Sequence, residues 1–366
     1  MMLAKISTLS YDFAIVKQDN EKDALTLLKG SSISVVLISA IILIVALVLF
    51  LFFPGNFYVV KLNYFILVVP FSVLLFGLYQ VLRQWMNWQK KYGKIGKSLL
   101  YKSGVAESSK VLFGFLKFSQ YGLIAGRVLG EFCIFIYMLL QMKADQIQQT
   151  KNMSWKRTVE LLKTNYKFPL YTMPSGMNGM LLNLILFSLF AKYFGLDKAG
   201  IIGIAITYIG AAYGIVSQSF SQVFYKKINE LENHQIWASL KTNVGILAMM
   251  SFAALVVVQL IPENWILTVL GEKWIGFTPV LKAIMISLSL GFIYVSVQFI
   301  FVRLNRQKEI LILDFINLIL VVGSIVGGYI MTNDFIQTLY LYVVAQSLFY
   351  ISALLMAFVF AWKSKG

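Results

Sequence analysis

The stretch ISVVLISAIILIVALVLFLFF, residues 33–53, is apolar except for Ser34 and Ser39 and carries no charged side chain. A helix of about 20 apolar residues is long enough to cross the ~30 Å hydrocarbon core of a bilayer. Similar runs recur to the end of the chain, in which 59% of the 366 residues are hydrophobic and 13% are charged. The sequence therefore predicts an all-α polytopic membrane protein.

About ten stretches meet this length and composition. They are residues 33–53, 62–82, 98–118, 121–142, 168–191, 199–225, 242–261, 278–302, 309–331 and 336–361. We interpret residues 1–142 as an N-terminal bundle of four spans and residues 168–366 as a C-terminal bundle of six. The polar interval between them, 143–167, is predicted to be a cytoplasmic linker.

Most of the 32 Lys and Arg residues fall on one side of this ten-span arrangement. Because basic residues near span ends favour the cytoplasm, both termini are predicted to be cytoplasmic. The net charge of +16 follows this sidedness and does not indicate a nucleic-acid partner. Part of the positive surface is instead suited to anionic membrane lipid.

The linker 143–167 contains Trp155, Val159, Leu162 and Tyr166 at helical spacing, after Ser154 as a candidate N-cap. This pattern predicts an amphipathic helix on the cytoplasmic leaflet. The alternative is an ordinary solvated connector.

The spans 98–118 and 121–142 differ from the others in their polar groups. The first contains Lys102, Glu107 and Lys110, and charges at membrane depth are costly, so this helix is expected to face other helices or water. The second has three glycines at four-residue spacing, which lets a neighbouring helix approach closely. These glycines are Gly122, Gly126 and Gly130.

No pattern typical of catalysis or metal binding is found. The fragment GKIGKS, 93–98, ends like a phosphate-binding loop but has Lys91 where that loop requires glycine. The single His234 lies in a polar loop, and the single Cys133 lies in an apolar run. The external loop 262–277 carries only two carboxylates. We therefore expect neither an enzyme nor a resident cofactor or metal.

Cations within the spans are the candidate substrate-binding residues. At 1.5 Å per residue, Lys110 and Arg127 lie ~18 and ~22 Å from the cytoplasmic ends of two adjacent antiparallel helices, so they are expected at similar depth. Lys102 lies near the cytoplasmic mouth, and Lys282 near the external end of its own span. Such a column suits an anionic headgroup. Alternatively, Lys102 and Lys282 reach to an interface, and Arg127 neutralises Glu131 on its own helix.

The helix that follows the linker begins with two prolines, Pro169 and Pro174, in the stretch YKFPLYTMPSGMNGMLLNL, 166–184. Broken helices at membrane depth mark moving elements or binding sites in transporters. We therefore interpret both prolines as gating residues. The alternative is that Pro169 occupies a permitted first-turn position and only Pro174 bends the helix.

This stretch resembles the polysaccharide (oligosaccharide-lipid) flippases of the multidrug/oligosaccharidyl-lipid/polysaccharide exporter superfamily. The resemblance extends over the following segments, most clearly before about residue 230. They are TLSYDFAIV (8–16), FGLYQVLRQWMNWQKKYGKIGKS (76–98), GLIAGRVLGE (122–131), FSLFAKYFGLDKAGIIGIA (187–205) and SQSFSQVFYKKINE (217–230).

The resemblance implies a transporter of the bacterial cytoplasmic (inner) membrane that flips undecaprenyl-diphosphate-linked oligosaccharide repeats. Polysaccharide biosynthesis of the O-antigen or lipopolysaccharide type is the implied process, by alternating access between two bundles. The partners would be this polyprenyl-diphosphate-linked glycan and other polysaccharide-assembly proteins. Arg127 and Lys110 are matched to the family's cavity cations by position.

Compared with the family pattern, the chain is expected to lack the first transmembrane hairpin, since residues 3–16 look like the end of the second helix. Three alternatives to the flippase follow. A cation-coupled multidrug exporter of the same superfamily fits the architecture but requires acidic cavity groups. A non-transporting scaffold or an inactive truncated homologue fits the missing hairpin.

Overall fold

A computed structural model of the chain describes residues 6–52 and 66–364, and every regular element in these ranges is helical. The helices are α1 Tyr11–Val16, α2 Glu21–Phe52, α3 Val68–Trp88, α4 Tyr92–Phe115, α5 Ser119–Leu140, α6 Ala144–Asn152, α7 Trp155–Thr164, α8 Met173–Phe194, α9 Leu196–Glu230, α10 Asn233–Leu260, α11 Glu263–Leu270, α12 Phe277–Val297, α13 Ile300–Arg303, α14 Gln307–Thr332 and α15 Phe335–Lys363. A π-helical turn, Phe168–Thr172, precedes α8, and a 3₁₀ turn, Glu272–Trp274, follows α11.

The prediction of an all-α polytopic membrane protein is confirmed. Eight of the described helices are long and apolar enough to cross a membrane: α2, α5, the π-helical turn with α8, α9, α10, α12 together with α13, α14 and α15. The predicted spans 62–82 and 98–118 overlap α3 and α4, which are not in this group, and α4 contains Lys102, Glu107 and Lys110. Residue 53 and residues 62–65 of the predicted spans 33–53 and 62–82 lie outside the described residues. The number of spans and the side on which the termini lie remain predictions.

The chain forms two compact units, Met1–Met177 and Asn178–Gly366. In the first unit, α2 packs against α1, α3, α6 and α7, and α4 packs along α5. The core of this unit includes Ala14, Leu25, Trp85 and Met86, which are buried. The second half of α2 instead exposes large apolar side chains, as expected for a surface in contact with lipid.

The second unit is organised around α12, which contacts α9, α10 and α15. Two thirds (67%) of the most apolar part of the α12–α13 segment is buried, more than in the other candidate spans. Phe190, Ile202, Val280 and Ile325 belong to one buried cluster at its centre. Interior packing of this kind, rather than a polar–apolar stripe, determines which faces of these helices are buried.

The linker is two helices rather than one, because the chain is extended at Met153 and Ser154 between α6 and α7. Ser154 precedes α7, but its side chain makes no capping hydrogen bond. Of the predicted stripe, Leu162 packs against Gly30 of α2, whereas Trp155 and Tyr166 are exposed. The face that α7 buries is formed by Thr158 and Leu161.

Candidate substrate-binding site

The close pairing of α4 and α5 depends on the three glycines of α5. A Cβ atom at Gly130 would lie 2.7 Å from Ala106 Cβ and 2.9 Å from the Lys102 carbonyl oxygen. A Cβ atom at Gly126 would lie 2.9 Å from the backbone nitrogen of Lys110, and one at Gly122 would lie 2.5 Å from Phe113 Cβ. Only glycine fits at this separation, so the backbones of Lys102 and Lys110 are held directly against α5.

This pairing places Lys110 and Arg127 at the same level of the α4–α5 pair, since Gly126 precedes Arg127 and contacts Lys110. The Lys110 ammonium forms an ion pair with Glu107 on its own helix at 2.6 Å. The aliphatic part of the Lys110 side chain runs over Gly126, where Cγ lies 2.8 Å from the built Cβ position. Lys110 is therefore a half-buried cation at the helix–helix contact.

Arg127 pairs with Glu131 through its Nε atom at 3.2 Å. The Glu131 side chain is 2% exposed, whereas the Arg127 side chain is 50% exposed. The Ser72 hydroxyl of α3 donates a hydrogen bond to the second carboxylate oxygen of Glu131. The buried Glu131 carboxylate, which is hydrogen-bonded through both of its oxygens, thus holds the Nε edge of the accessible Arg127 guanidinium group.

Lys102 lies next to this ion pair. Its Nζ atom is 4.4 Å from the centroid of the Phe76 ring of α3, which is the geometry of a cation–π contact. The charges of Glu131, Arg127 and Arg83 act on it. Glu131 is therefore ion-paired with Arg127, and its negative charge also acts on Lys102.

One face of α3 makes these contacts. Ser72, Phe76, Tyr79 and Arg83 follow each other at spacings of four, three and four residues, which places them on the same side of a helix. Arg83 lies near the Tyr79 ring and acts electrostatically on Asp12 of α1. Asp12 is buried and accepts a hydrogen bond from Thr8 Oγ1 at 2.8 Å. We call Ser72, Phe76, Tyr79 and Arg83 the α3 contact face.

Sequence reasoning missed the α3 contact face and Asp12. The available signal was the spacing of Ser72, Phe76, Tyr79 and Arg83 within an otherwise apolar span. Their partners, however, lie on α1, α4 and α5, and only the tertiary fold brings them together.

The remaining predicted site residues lie elsewhere. Lys282 belongs to α12 of the second unit, where its carbonyl oxygen accepts a hydrogen bond from Gln259 Nε2 at 2.9 Å. Pro169 is the second residue of the π-helical turn, and Pro174 is the second residue of α8. The break that the prolines predict is thus a widened turn within a continuous helical segment, Phe168–Phe194. Among the described residues, no cluster of three or more His, Cys, Asp or Glu side chains could hold a metal ion.

Comparison with known proteins identifies a family for most of this chain. A family model described as "Polysaccharide biosynthesis protein" matches residues 12–279. No curated protein sequence matches the chain.

Solved structures of transporters share the fold. A MATE transporter in the bent conformation superposes with a TM-score of 0.79 at 13% identity, covering 100% of this chain and 85% of its own. An outward-facing multidrug resistance MATE family transporter of the MOP superfamily gives 0.75 at 12% identity, with coverages of 100% and 84%. A MOP superfamily transporter from Pyrococcus furiosus, described as having a binding pocket of reverse polarity, gives 0.74 at 11%, with coverages of 100% and 85%. At these identities the likeness concerns the fold alone.

Proposed function

Because the chain belongs to the polysaccharide biosynthesis protein family, we propose that it flips lipid-linked oligosaccharides across the bacterial cytoplasmic membrane. The substrate class is a polyprenyl-diphosphate-linked glycan, and the transport cycle is alternating access. The MOP-type fold supports movement of a solute rather than its chemical conversion.

The observation that carries this proposal is the half-exposed guanidinium of Arg127, fixed by a buried carboxylate. Guanidinium groups bind phosphate oxygens through paired, charge-assisted hydrogen bonds. Since Glu131 occupies the Nε edge of Arg127, the terminal nitrogens are the donors that a diphosphate would meet. Lys102, beside the same carboxylate, adds a second positive charge.

Charge balance favours an anionic substrate. Among the described residues of the α3 contact face and its partners, the cations are Arg83, Lys102 and Arg127, and the carboxylates are Asp12 and Glu131. Both carboxylates are buried and bonded to hydroxyl groups. The surplus charge that remains accessible is positive, as a diphosphate requires.

Complementation of a flippase-deficient bacterial strain tests the proposal, with surface glycan as the readout. The chain should restore glycan, and Arg127→Ala and Lys110→Ala should each lower it without reducing the amount of protein in the membrane. Lys156→Ala, an exposed lysine of α7, is the matched control and should leave export unchanged. Absence of glycan despite normal membrane insertion and a matched substrate would contradict the proposal.

The second candidate is a cation-coupled multidrug exporter, which the similarity to a multidrug resistance MATE transporter supports at the level of the fold. Cationic drugs require an accessible carboxylate, and the surplus of positive charge around Arg127 disfavours them. Drug resistance without glycan export in the same strain would favour this candidate.

A further inference from the structure

A narrow groove lies on the first unit where α2, α3, α5 and α6 meet. Its volume is about 240 Å³, and its walls include Leu28, Leu78, Leu82, Phe135 and Leu139. A cavity of ~150 Å³ is already large enough to bind benzene, so this groove can take a hydrocarbon segment. One turn of an α-helix about 10 Å wide would fill roughly 400 Å³ and is too large for it.

The groove lies at the cytoplasmic edge of the predicted spans. Three of its lining residues, Ser32, Leu82 and Met142, stand at or next to the cytoplasmic ends of three spans predicted from sequence, 33–53, 62–82 and 121–142. The groove therefore lies at the level where hydrocarbon tails meet headgroups.

The α6 wall of the groove carries the polar and positively charged groups. Thr150 and the exposed Lys151 line this wall. The ammonium of Lys29 donates hydrogen bonds to the carbonyl oxygens of Lys151 (3.0 Å) and Met153 (2.8 Å), which fixes the end of α6 against α2. Lys143, the residue after Met142, is a further exposed cation at the opposite, N-terminal end of α6.

Lys143 is part of a cluster of lysines. The pKa of Lys91 is lowered by burial and, in addition, by the nearby charges of Lys94 and Lys143, against the opposing effect of Glu21. Glu21 accepts a hydrogen bond from Gln146 Nε2 at 3.1 Å. Lys91, Lys94 and Lys143 thus repel one another, and Glu21 compensates for this repulsion only in part. A bound phosphate would reduce the remaining repulsion.

We propose that this groove binds one anionic phospholipid of the cytoplasmic leaflet. One tail lies between α2, α3 and α5, and the phosphate contacts Lys143 and Lys151. The apolar walls match the lipid tail, and the lysines match the negatively charged headgroup. The site is independent of the glycan-binding residues Arg127 and Lys110.

Native mass spectrometry of the purified full chain tests the proposal, with phosphatidylglycerol and phosphatidylcholine of identical tails in equal amounts. One phosphatidylglycerol should be retained in preference to phosphatidylcholine. Lys143→Gln and Lys151→Gln should each reduce this preference about fivefold, the effect of one basic residue near an anionic lipid surface. Lys156→Gln is the control and should leave it unchanged.

A second pair of variants examines the apolar walls. Leu139→Trp fills the groove and should reduce retention of both lipids, whereas Leu123→Trp, on an exposed part of α5, should not. Gel filtration identifies any variant that misfolds. If Leu139→Trp misfolds, the proposal is judged on the two lysine variants alone. Equal retention of the two lipids, or lysine variants that retain phosphatidylglycerol normally, would overturn the proposal. Since the readout is bound lipid, such a result would leave the proposed glycan transport untouched.

Discussion

At the scale of single residues, the burial of Glu131 is the feature that most needs compensation. A carboxylate with 2% of its side chain exposed is stable only when its oxygens are hydrogen-bonded and its charge is balanced. Arg127 balances the charge, and the Ser72 hydroxyl bonds the second oxygen. The three side chains connect α3 to α5.

Ser72→Ala should therefore destabilise the protein, because it leaves one oxygen of a buried carboxylate without its donor. The expected loss is about 1–3 kcal/mol, seen as a lower unfolding midpoint in detergent by fluorescence. Ser103→Ala, at an exposed position of α4, is the control and should have no effect. Equal midpoints for both variants would mean that Ser72 contributes nothing to holding Glu131.

Arg127→Lys tests the geometry of the guanidinium rather than its charge. A lysine has no Nε edge, so it cannot pair with Glu131 and also present two planar donors to a phosphate. We expect export to fall to a level between those of the original chain and Arg127→Ala. The measurement is surface glycan in the complemented strain, normalised to protein in the membrane. Full export by Arg127→Lys would show that charge alone suffices.

The sequence reveals these residues only in part. The pairing of Arg127 with Glu131 can be predicted, because residues four apart are neighbours on a helix. Ser72 is 59 positions away from Glu131 in the chain, and Phe76 and Lys102 lie on different helices. Such contacts depend on how the helices rotate against one another, which a single sequence does not specify.

At the scale of helices, the glycines of α5 determine how closely α4 approaches. Gly130→Ala would place a methyl group 2.7 Å from Ala106 Cβ and 2.9 Å from a backbone carbonyl, neither of which can turn away. We expect a loss of about 1–3 kcal/mol from overpacking, measured by thermal unfolding in detergent. Gly104→Ala is the control, because its Cβ would meet nothing within 4 Å. It should be neutral or slightly stabilising, since alanine favours helix more than glycine.

The helix break predicted from Pro169 and Pro174 corresponds to the π-helical turn Phe168–Thr172 before α8. A wide turn leaves a backbone that can tighten to regular α-helix, and π-helical turns are frequent at functional sites. Pro174→Ala restores a backbone N–H group just after this turn. It should lower the export rate while leaving the unfolding midpoint unchanged or higher. Normal export together with a raised midpoint would remove any gating role from Pro174.

The positions of the long helices could be predicted from the sequence, but their full lengths could not, since α2 begins at Glu21, 12 residues before the predicted span 33–53. The contacts of the linker could not be predicted either. The periodicity of Trp155, Val159, Leu162 and Tyr166 correctly indicates helix near residue 160. It does not show that Leu162 packs against Gly30 of α2, or that Arg157 pairs with Asp23 at 3.1 Å. These contacts are made to α2, more than 120 residues earlier in the chain. Whether the linker also touches the membrane surface remains a prediction.

At the scale of the whole molecule, the candidate cations separate into two groups. Lys102, Lys110 and Arg127 belong to the first compact unit, and Lys282 belongs to the second. The sequence pointed to all four through the same argument, the cost of a charge within a span. That argument locates polar groups along a helix but does not tell which of them lie near one another. In the structure Glu131 is ion-paired with Arg127, and its charge also acts on Lys102.

A double-mutant cycle in unfolding midpoints distinguishes the two groups. Arg127→Ala removes the ion-pair partner of Glu131 but leaves the nearby positive charge of Lys102, whereas Lys102→Ala leaves the ion pair with Arg127 in place. The double variant leaves a buried carboxylate without a counter-charge, so its loss of stability should exceed the sum of the single losses by about 1 kcal/mol. Arg127→Ala combined with Lys282→Ala should instead be additive, because Lys282 belongs to the second compact unit and Glu131 to the first. Additivity in both cycles would mean that Lys102 and Arg127 act independently and that Glu131 is neutralised in another way.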